Sequence, residues 1–227
     1  MSDFKSCIYK YDSNGKDIIA EEININEGEI EEWPHKWETP ILYWDLVSDS
    51  PDIEGVDLEE KCVKRALLRW QVVVSDLKFR KWRTNKPSPR IRIEFRTGEQ
   101  DEMFAKSKGT LAYAYFPGQG DASGKVVFND DNLWSTTGKG VPHINQGGQH
   151  VVLKTYILEH VLIHEFGHML GLRHNKYEKE SVMYPYYSCI LDLSASDIAR
   201  IQNKYGERSI WKQLLNRLQG YFNRTIQ

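Results

Sequence analysis

The chain has 227 residues, of which 40% are hydrophobic, 12% aromatic and 27% charged. These fractions suit one sizeable globular domain with appended ends, and they exclude a wholly disordered or fibrous chain. Its 30 basic and 32 acidic residues nearly cancel, so the net charge of −2 gives no reason to expect nucleic acid or an anionic membrane as a partner. No apolar run is long enough to span a membrane, no signal peptide is visible, and three cysteines do not make a disulfide framework.

The first part of the chain, residues 1–38, is acidic and poorly periodic. Residues 21–32 alone hold six glutamates with short apolar interruptions. We treat residues 1–38 as an N-terminal extension, in which residues 21–32 form a loose strand or an ordered arm; the alternative is a solvated tail.

Strands and helices then alternate. The patterns predict a strand at 41–44, a helix at 58–74, and strands at 90–95, 110–116 and 126–128. Residues 135–150 have the composition of a loop, and helices are predicted at 151–170, 194–205 and 208–222. This order predicts an α/β (α+β) layer arrangement around one core, with a domain at 39–206. A C-terminal amphipathic helix at 207–227 either packs back onto that domain or docks on a partner or a membrane surface.

The mostly apolar helix at 151–170 carries a candidate metal site. His164 and His168 are four residues apart, so both rings lie on one helix face and can reach one ion, for which zinc is the suitable metal. Gly171 permits a left-handed helix end, after which His174 can return as a third ligand. Three histidines leave a fourth position open, which distinguishes a catalytic zinc from a structural one.

Glu165 follows the first histidine and can point toward a metal-bound water without ligating the metal itself. Zinc lowers the pKa of such a water to about 7, and Glu165 can accept its proton and pass it to the leaving amine. Two histidines four residues apart can also be satisfied groups on a polar helix face. The added Gly171 and His174, and a glutamate inside an apolar helix, favour the metal site.

The string His164 to His174, HEFGHMLGLRH, resembles the extended zinc motif of the metzincins, and within that clan the chain resembles the matrixins, the matrix metalloproteinase family. Downstream, SVMYP at 181–185 resembles the Met-turn, in which Met183 would underlie the three histidines. Pro185 and Tyr187 match one wall of the family's main specificity pocket.

The strand at 110–116 resembles the family's edge strand, on which the substrate aligns near Leu111 and Ala112. The likeness covers roughly residues 38–206 and implies a metzincin-like twisted mixed sheet, mostly parallel with one antiparallel edge strand, and three main helices. The C-terminal helix is extra. Through this likeness we expect a substrate peptide to add antiparallel to the edge strand by main-chain hydrogen bonds.

The resemblance implies a zinc-dependent endopeptidase, in which a zinc-activated water hydrolyses a peptide bond with Glu165 as general base and acid. We expect a monomer that takes a peptide or protein substrate, and no nucleic acid or transmembrane segment. Altered metal loops leave an alternative open, a catalytically silent metzincin-like module that only binds protein. Matrixins are usually secreted, yet no signal peptide is visible, so the compartment stays open.

The chain departs from the family at the second, structural zinc. Two of its ligand positions read Tyr113 and Val127, neither of which ligates zinc as histidine does. We therefore expect one catalytic zinc and no structural zinc. The family's calcium ligands are partly replaced by asparagine, although three aspartates keep a weak calcium site open: Asp121, Asp130 and Asp131.

His160 lies one helical turn before His164, where the resemblance implies a residue deep in the specificity pocket. A histidine there would make the pocket shorter and more polar, which predicts a reduced preference for long aliphatic side chains after the cleaved bond. The alternative is a histidine that supports its neighbours or lies at the surface. The family's Cys-containing latency segment is absent, and Cys7 lacks its context, so we expect an enzyme that is made active or one that is controlled by some other means.

Overall fold

The computed structural model describes residues 7–10, 32–107 and 109–208. Its main sheet has six strands, which in chain order are β1 (Cys7–Lys10), β2 (Ile41–Leu46), β3 (Lys78–Lys81), β4 (Ile91–Arg96), β5 (Thr110–Ala114) and β6 (Lys125–Asn129). The order across the sheet is β1-β5-β6-β4-β2-β3. Strands β6, β4, β2 and β3 run parallel, and β5 runs antiparallel to β6. The predicted mixed α/β class, mostly parallel with an antiparallel strand, is confirmed.

Within the described residues, four α-helices accompany this sheet: α1 (Leu58–Gln71), α2 (Glu102–Lys106), α3 (Leu158–Met169) and α4 (Ala195–Tyr205). A short 3-10 helix lies at Gly120–Ala122. Two small sheets lie between β6 and α3. One pairs β7 (Trp134–Ser135) in parallel with β10 (Tyr156–Ile157), and the other is an antiparallel hairpin of β8 (Val141–Ile144) and β9 (His150–Leu153). Within the described part of the chain, no helix has the length and apolar character needed to cross a membrane.

The core lies between the sheet and the two long helices α1 and α3. Strand β4 alternates as its sequence predicts, because Ile91, Ile93 and Phe95 are buried while the residues between them are partly exposed. The side chain of Trp70 on α1 donates a hydrogen bond of 3.0 Å to the carbonyl of Ile163 on α3. All 12 residues of α3 are buried, so this helix is enclosed on every side.

The predicted start of α3 at residue 151 is wrong. Residues 150–153 form β9, residues 156–157 form β10, and the helix begins only at Leu158. Val151, Val152 and Ile157 are β-branched, and such side chains favour strands over helices. The same hairpin places β8 inside residues 135–150, where a loop was predicted. Strand β3, strand β1 and the short helix α2 were also not predicted.

Strand β1 pairs antiparallel with the outer side of β5. Cys7 lies opposite Ala114, Ile8 opposite Tyr113 and Lys10 opposite Thr110, with an irregularity between Ile8 and Lys10. In the described chain, β5 therefore has a neighbour on both sides, and this chain itself covers the side expected to receive a peptide. The rest of the acidic extension before residue 32, and the predicted helix from residue 209 onward, lie outside the described residues.

The last residues of the predicted extension pack onto the domain. The ring of Trp33 stacks on Phe116 with centroids 4.8 Å apart, and the indole N–H of Trp37 donates to the Met169 carbonyl at 2.9 Å. Glu32 pairs with Arg200 on α4. This segment therefore contacts the C-terminal end of α3, just before the third candidate ligand.

Candidate metal centre

Helix α3 and the turn after it bring the three predicted ligands together. Ligand atoms of His164, His168 and His174 all lie within 4.8 Å of one another. The Nε2 atom of His164 is 2.9 Å from Nε2 of His168 and 3.2 Å from Nε2 of His174. Three ring nitrogens therefore converge on one point, as the spacing predicts.

In His164 and His168, the partner of Nδ1 shows which of the two ring nitrogens carries the hydrogen. Nδ1 of His164 is 2.7 Å from the Val182 carbonyl, and Nδ1 of His168 is 2.7 Å from the Leu172 carbonyl. A carbonyl can only accept, so in each neutral ring the hydrogen is on Nδ1 and the lone pair is on Nε2. Lone pairs that face one another at this distance need a cation between them, and three imidazole nitrogens suit zinc. The residues present therefore fit the metal that the resemblance implies.

Burial keeps these rings neutral. It lowers the pKa of His164 and His168 well below the usual range, and it lowers the pKa of His174 to about 4. All three rings are therefore unprotonated near neutral pH, which is the state that ligates a metal.

Gly171 ends α3 and turns the chain back toward the site. Its φ of +95° lies in the left-handed region, where a residue without a Cβ is favoured. The Gly171 amide donates to the His168 carbonyl at 2.8 Å, and the Leu172 amide donates to the Gly167 carbonyl at 2.9 Å. The sequence predicts this helix end, and it brings His174 to the other two histidines.

The turn at residues 181–184 lies beneath the histidines. A Cβ added at Gly167 would overlap the sulfur of Met183, which is fully buried. The Met183 carbonyl accepts a hydrogen bond of 2.8 Å from the Asn175 amide, next to His174. The Val182 carbonyl orients His164, so this turn supports two of the three rings.

Asp197 on α4 holds that turn in place, a role that the sequence interpretation missed. Its buried carboxylate accepts from the Ser181 hydroxyl at 2.5 Å, the Val182 amide at 2.9 Å and the Ser194 amide at 3.0 Å. Ser194 in turn caps α4. The capping-box pattern of Ser194 and Asp197 is visible in the sequence, but it predicts only the helix start.

Glu165 lies on α3 beside the first histidine and is fully buried. Neither of its carboxylate oxygens has a hydrogen-bond partner among the described residues. Burial raises the pKa of this carboxyl well above the usual range. A buried carboxyl without a protein partner costs free energy, and such groups are concentrated where proton transfer is needed.

Two of the predicted pocket residues lie together. His160 is buried rather than at the surface, and its ring centroid is 6.1 Å from that of Tyr187. The hydroxyl of Tyr187 accepts a hydrogen bond of 3.0 Å from the Ile157 amide, which joins this wall to the start of α3. Pro185 is partly exposed and lies two residues before Tyr187.

The predicted substrate strand approaches the histidines at its downstream end. Leu111 and Ala112 are buried within β5, and four residues beyond Ala112 the ring of Phe116 is 5.7 Å from that of His168. On the side of β5 that faces away from β6, the backbone is paired with β1.

The positions at which the resemblance implies a structural zinc hold packed side chains. Tyr113 and Val127 form a small buried cluster with Phe104, and the Tyr113 hydroxyl donates to Asp101 at 2.7 Å. Burial raises the pKa of Tyr113. These contacts are those of a core, and the number of zinc ions stays a prediction, as does the weak calcium site.

A family model described as matrixin matches residues 36–206. The chain belongs to the matrixin family. The match includes all three histidines, Glu165 and the turn at 181–184, so the resemblance seen in the motifs is confirmed.

This matrixin is similar to several metalloproteinases. It is 34% identical to matrilysin of Felis catus over 180 residues, which is 77% of this chain and 61% of that protein. It is 32% identical to macrophage metalloelastase of Oryctolagus cuniculus over 176 residues, which is 75% of this chain and 33% of the relative. Stromelysin-2 of Rattus norvegicus is 34% identical over 182 residues, 76% of this chain and 33% of the relative. The chain thus spans less than two thirds of the length of these relatives.

Proposed function

We propose that this matrixin is a zinc-dependent endopeptidase. The observation that carries the proposal is the convergence of the Nε2 atoms of three histidines, together with Glu165, the residue after the first of them, whose buried carboxylate no described residue binds. His164, His168 and His174 would hold the ion. When bound, zinc acts as a Lewis acid on a peptide carbonyl and makes water acidic enough to serve as a nucleophile near neutral pH.

Glu165 is the group that moves the proton. Its carboxylate accepts a proton from the attacking water and delivers it to the amine that leaves the peptide bond. A carboxylate that no other residue binds can act first as base and then as acid. The turn below the site orients the rings and takes no part in proton transfer.

Peptide binding would use β5 and the pocket wall. The main chain at Leu111 and Ala112 would pair with an extended substrate, which must replace β1 on this side of the strand. The side chain after the cleaved bond would enter a pocket beside His160, Pro185 and Tyr187. Because a buried histidine is more polar than leucine, we propose a reduced preference for long aliphatic residues at this position.

Cleavage of a peptide library tests both proposals. Wild-type protein should cleave a set of peptides, while Glu165→Ala and addition of a chelator should each abolish cleavage, and elemental analysis should find one zinc per chain. The His160→Leu variant should shift the library profile toward leucine and methionine after the cleaved bond. If zinc-loaded wild type cleaves no member of the library, the protein is instead a module that binds proteins without cutting them.

A further inference from the structure

The hairpin at residues 141–153, formed by β8 and β9, stands apart from the main sheet. Its strands pair from Val141 opposite Leu153 to Ile144 opposite His150. Among the described residues, neither strand pairs with a third, so each has an open edge that can accept another strand.

Both faces of this hairpin expose apolar side chains. Directly opposite residues share a face, so Val141 and Leu153 lie on one face, while Val152 and Ile144 lie on the other. Their exposed fractions are 43%, 36%, 72% and 57%, in that order. A two-stranded hairpin is at best marginally stable in water, and clustered exposed apolar residues indicate a binding surface.

The base of the hairpin adjoins the pocket wall. The Thr155 hydroxyl donates to the Lys139 carbonyl at 3.2 Å and closes the base. A Cβ at Gly138 would contact the side chain of Ile157, whose amide donates to the Tyr187 hydroxyl. The hairpin therefore continues from the side of the pocket that would hold the residues after the cleaved bond.

The charged side chains in the hairpin's own sequence have one sign. Residues 139–154 contain two lysines and two histidines but no aspartate or glutamate. Lys139 and Lys154 flank its two strands, at opposite ends of the sequence that forms it. A partner with acidic and apolar residues complements this surface.

A membrane fits this surface less well. The tip, residues 145–149, reads Asn-Gln-Gly-Gly-Gln, so insertion by the tip would bury polar groups in hydrocarbon. Two lysines also give only weak attraction to an anionic leaflet. An extended protein segment can instead use the open edges and both apolar faces.

We propose that the 141–153 hairpin is a docking surface for an extended, acidic and apolar segment of the protein substrate, located C-terminal to the cleaved bond. The segment binds by adding as a strand to an open edge of the hairpin. This proposal rests on the proposed endopeptidase function, and it adds a second binding site beyond β5 and the pocket beside His160.

The test compares two substrates that share one cleavable hexapeptide. One is the hexapeptide alone, and the other carries about twelve further residues of alternating valine and glutamate at its C-terminal end, enough for a link and one strand. The extension should lower KM about fivefold, as expected if two cross-strand pairs together contribute about 1 kcal/mol. An extension of alternating valine and lysine should give no gain.

Two variants test whether the lower KM of the extended substrate depends on the hairpin. The double variant Ile144→Thr, Val152→Thr keeps β-branched residues but removes apolar surface, so it should lose the gain while its hexapeptide kinetics and melting temperature stay unchanged. The matched control is Val72→Thr, an exposed valine at the end of α1, which should keep the full gain. Fluorescence anisotropy of the labelled valine–glutamate segment alone measures docking directly, so docking is judged even if no peptide is cleaved.

Three results would overturn the proposal. The first is equal KM values and no anisotropy change for the valine–glutamate segment with wild type. The second is that wild type sediments with phosphatidylserine vesicles and the double variant does not, which would show that the hairpin binds a membrane. The third is that wild type is a dimer and the double variant a monomer in analytical ultracentrifugation, which would show that the hairpin binds a second copy of the chain.

Discussion

Replacement of Asp197 by alanine should destabilise the protein severely, although this residue contacts none of the candidate ligands. The carboxylate accepts from three donors, of which the Ser181 hydroxyl and the Val182 amide are buried. Each buried donor left without a partner costs about 1–3 kcal/mol, so we expect a loss of about 4 kcal/mol in the free energy of unfolding. At about 2–4 °C per kcal/mol for a domain of this size, the melting temperature should fall by about 8–16 °C.

The same variant should bind zinc more weakly, because Val182 supplies the carbonyl that orients His164. Urea unfolding followed by tryptophan fluorescence, with excess zinc throughout, measures the stability, and a zinc titration measures the affinity. Asp192→Ala is the matched control. Its carboxylate pairs with Arg69 at 2.7 Å but is 95% exposed, so its loss should cost less than about 1 kcal/mol. Equal stability of the two variants would refute the role assigned to Asp197.

Three further changes test other parts of the structure. Gly167→Ala should destabilise the protein by about 1–2 kcal/mol in urea unfolding, because overlap with the buried sulfur below α3 outweighs the gain of about 1 kcal/mol in helix propensity; a net stabilisation would contradict this packing. Tyr113→Phe should cost about 1 kcal/mol by thermal unfolding, since the Asp101 carboxylate loses one donor, and no loss would show that the cluster tolerates the change. The double change Ile8→Pro, Tyr9→Pro should lower KM for a peptide substrate, because proline removes strand hydrogen bonds and frees β5; an unchanged KM would show that β1 does not compete with the substrate.

Much of the candidate metal site could be predicted because its geometry is local. Residues four apart on a helix share a face whatever surrounds them, so the placement of His164 and His168 follows from helix geometry alone. The left-handed φ at Gly171 is likewise a property of one residue and its neighbours. The family motif then added Met183 and the pocket wall.

The segment before α3 shows where local patterns fail. Val151 and Val152 belong to a nearly continuous apolar run that suits a buried helix and a strand equally well. The hairpin forms because residues 150–153 pair with residues 141–144. The hydrophobic periodicity within either segment does not predict that pairing. The predicted helix therefore began too early.

The sequence by itself determined the family, the three histidines of the candidate metal site and the mixed α/β class, since each depends on spacing along the chain. Only the tertiary structure decided that Asp197 supports the turn behind His164, that β1 covers β5, and that the base of an apolar hairpin lies against Ile157, which is bonded to Tyr187. These features join residues distant in sequence. The contacts between distant segments depend on how the faces of helices and sheets pack around one core. The hydrophobic periodicity of a single segment does not predict those contacts.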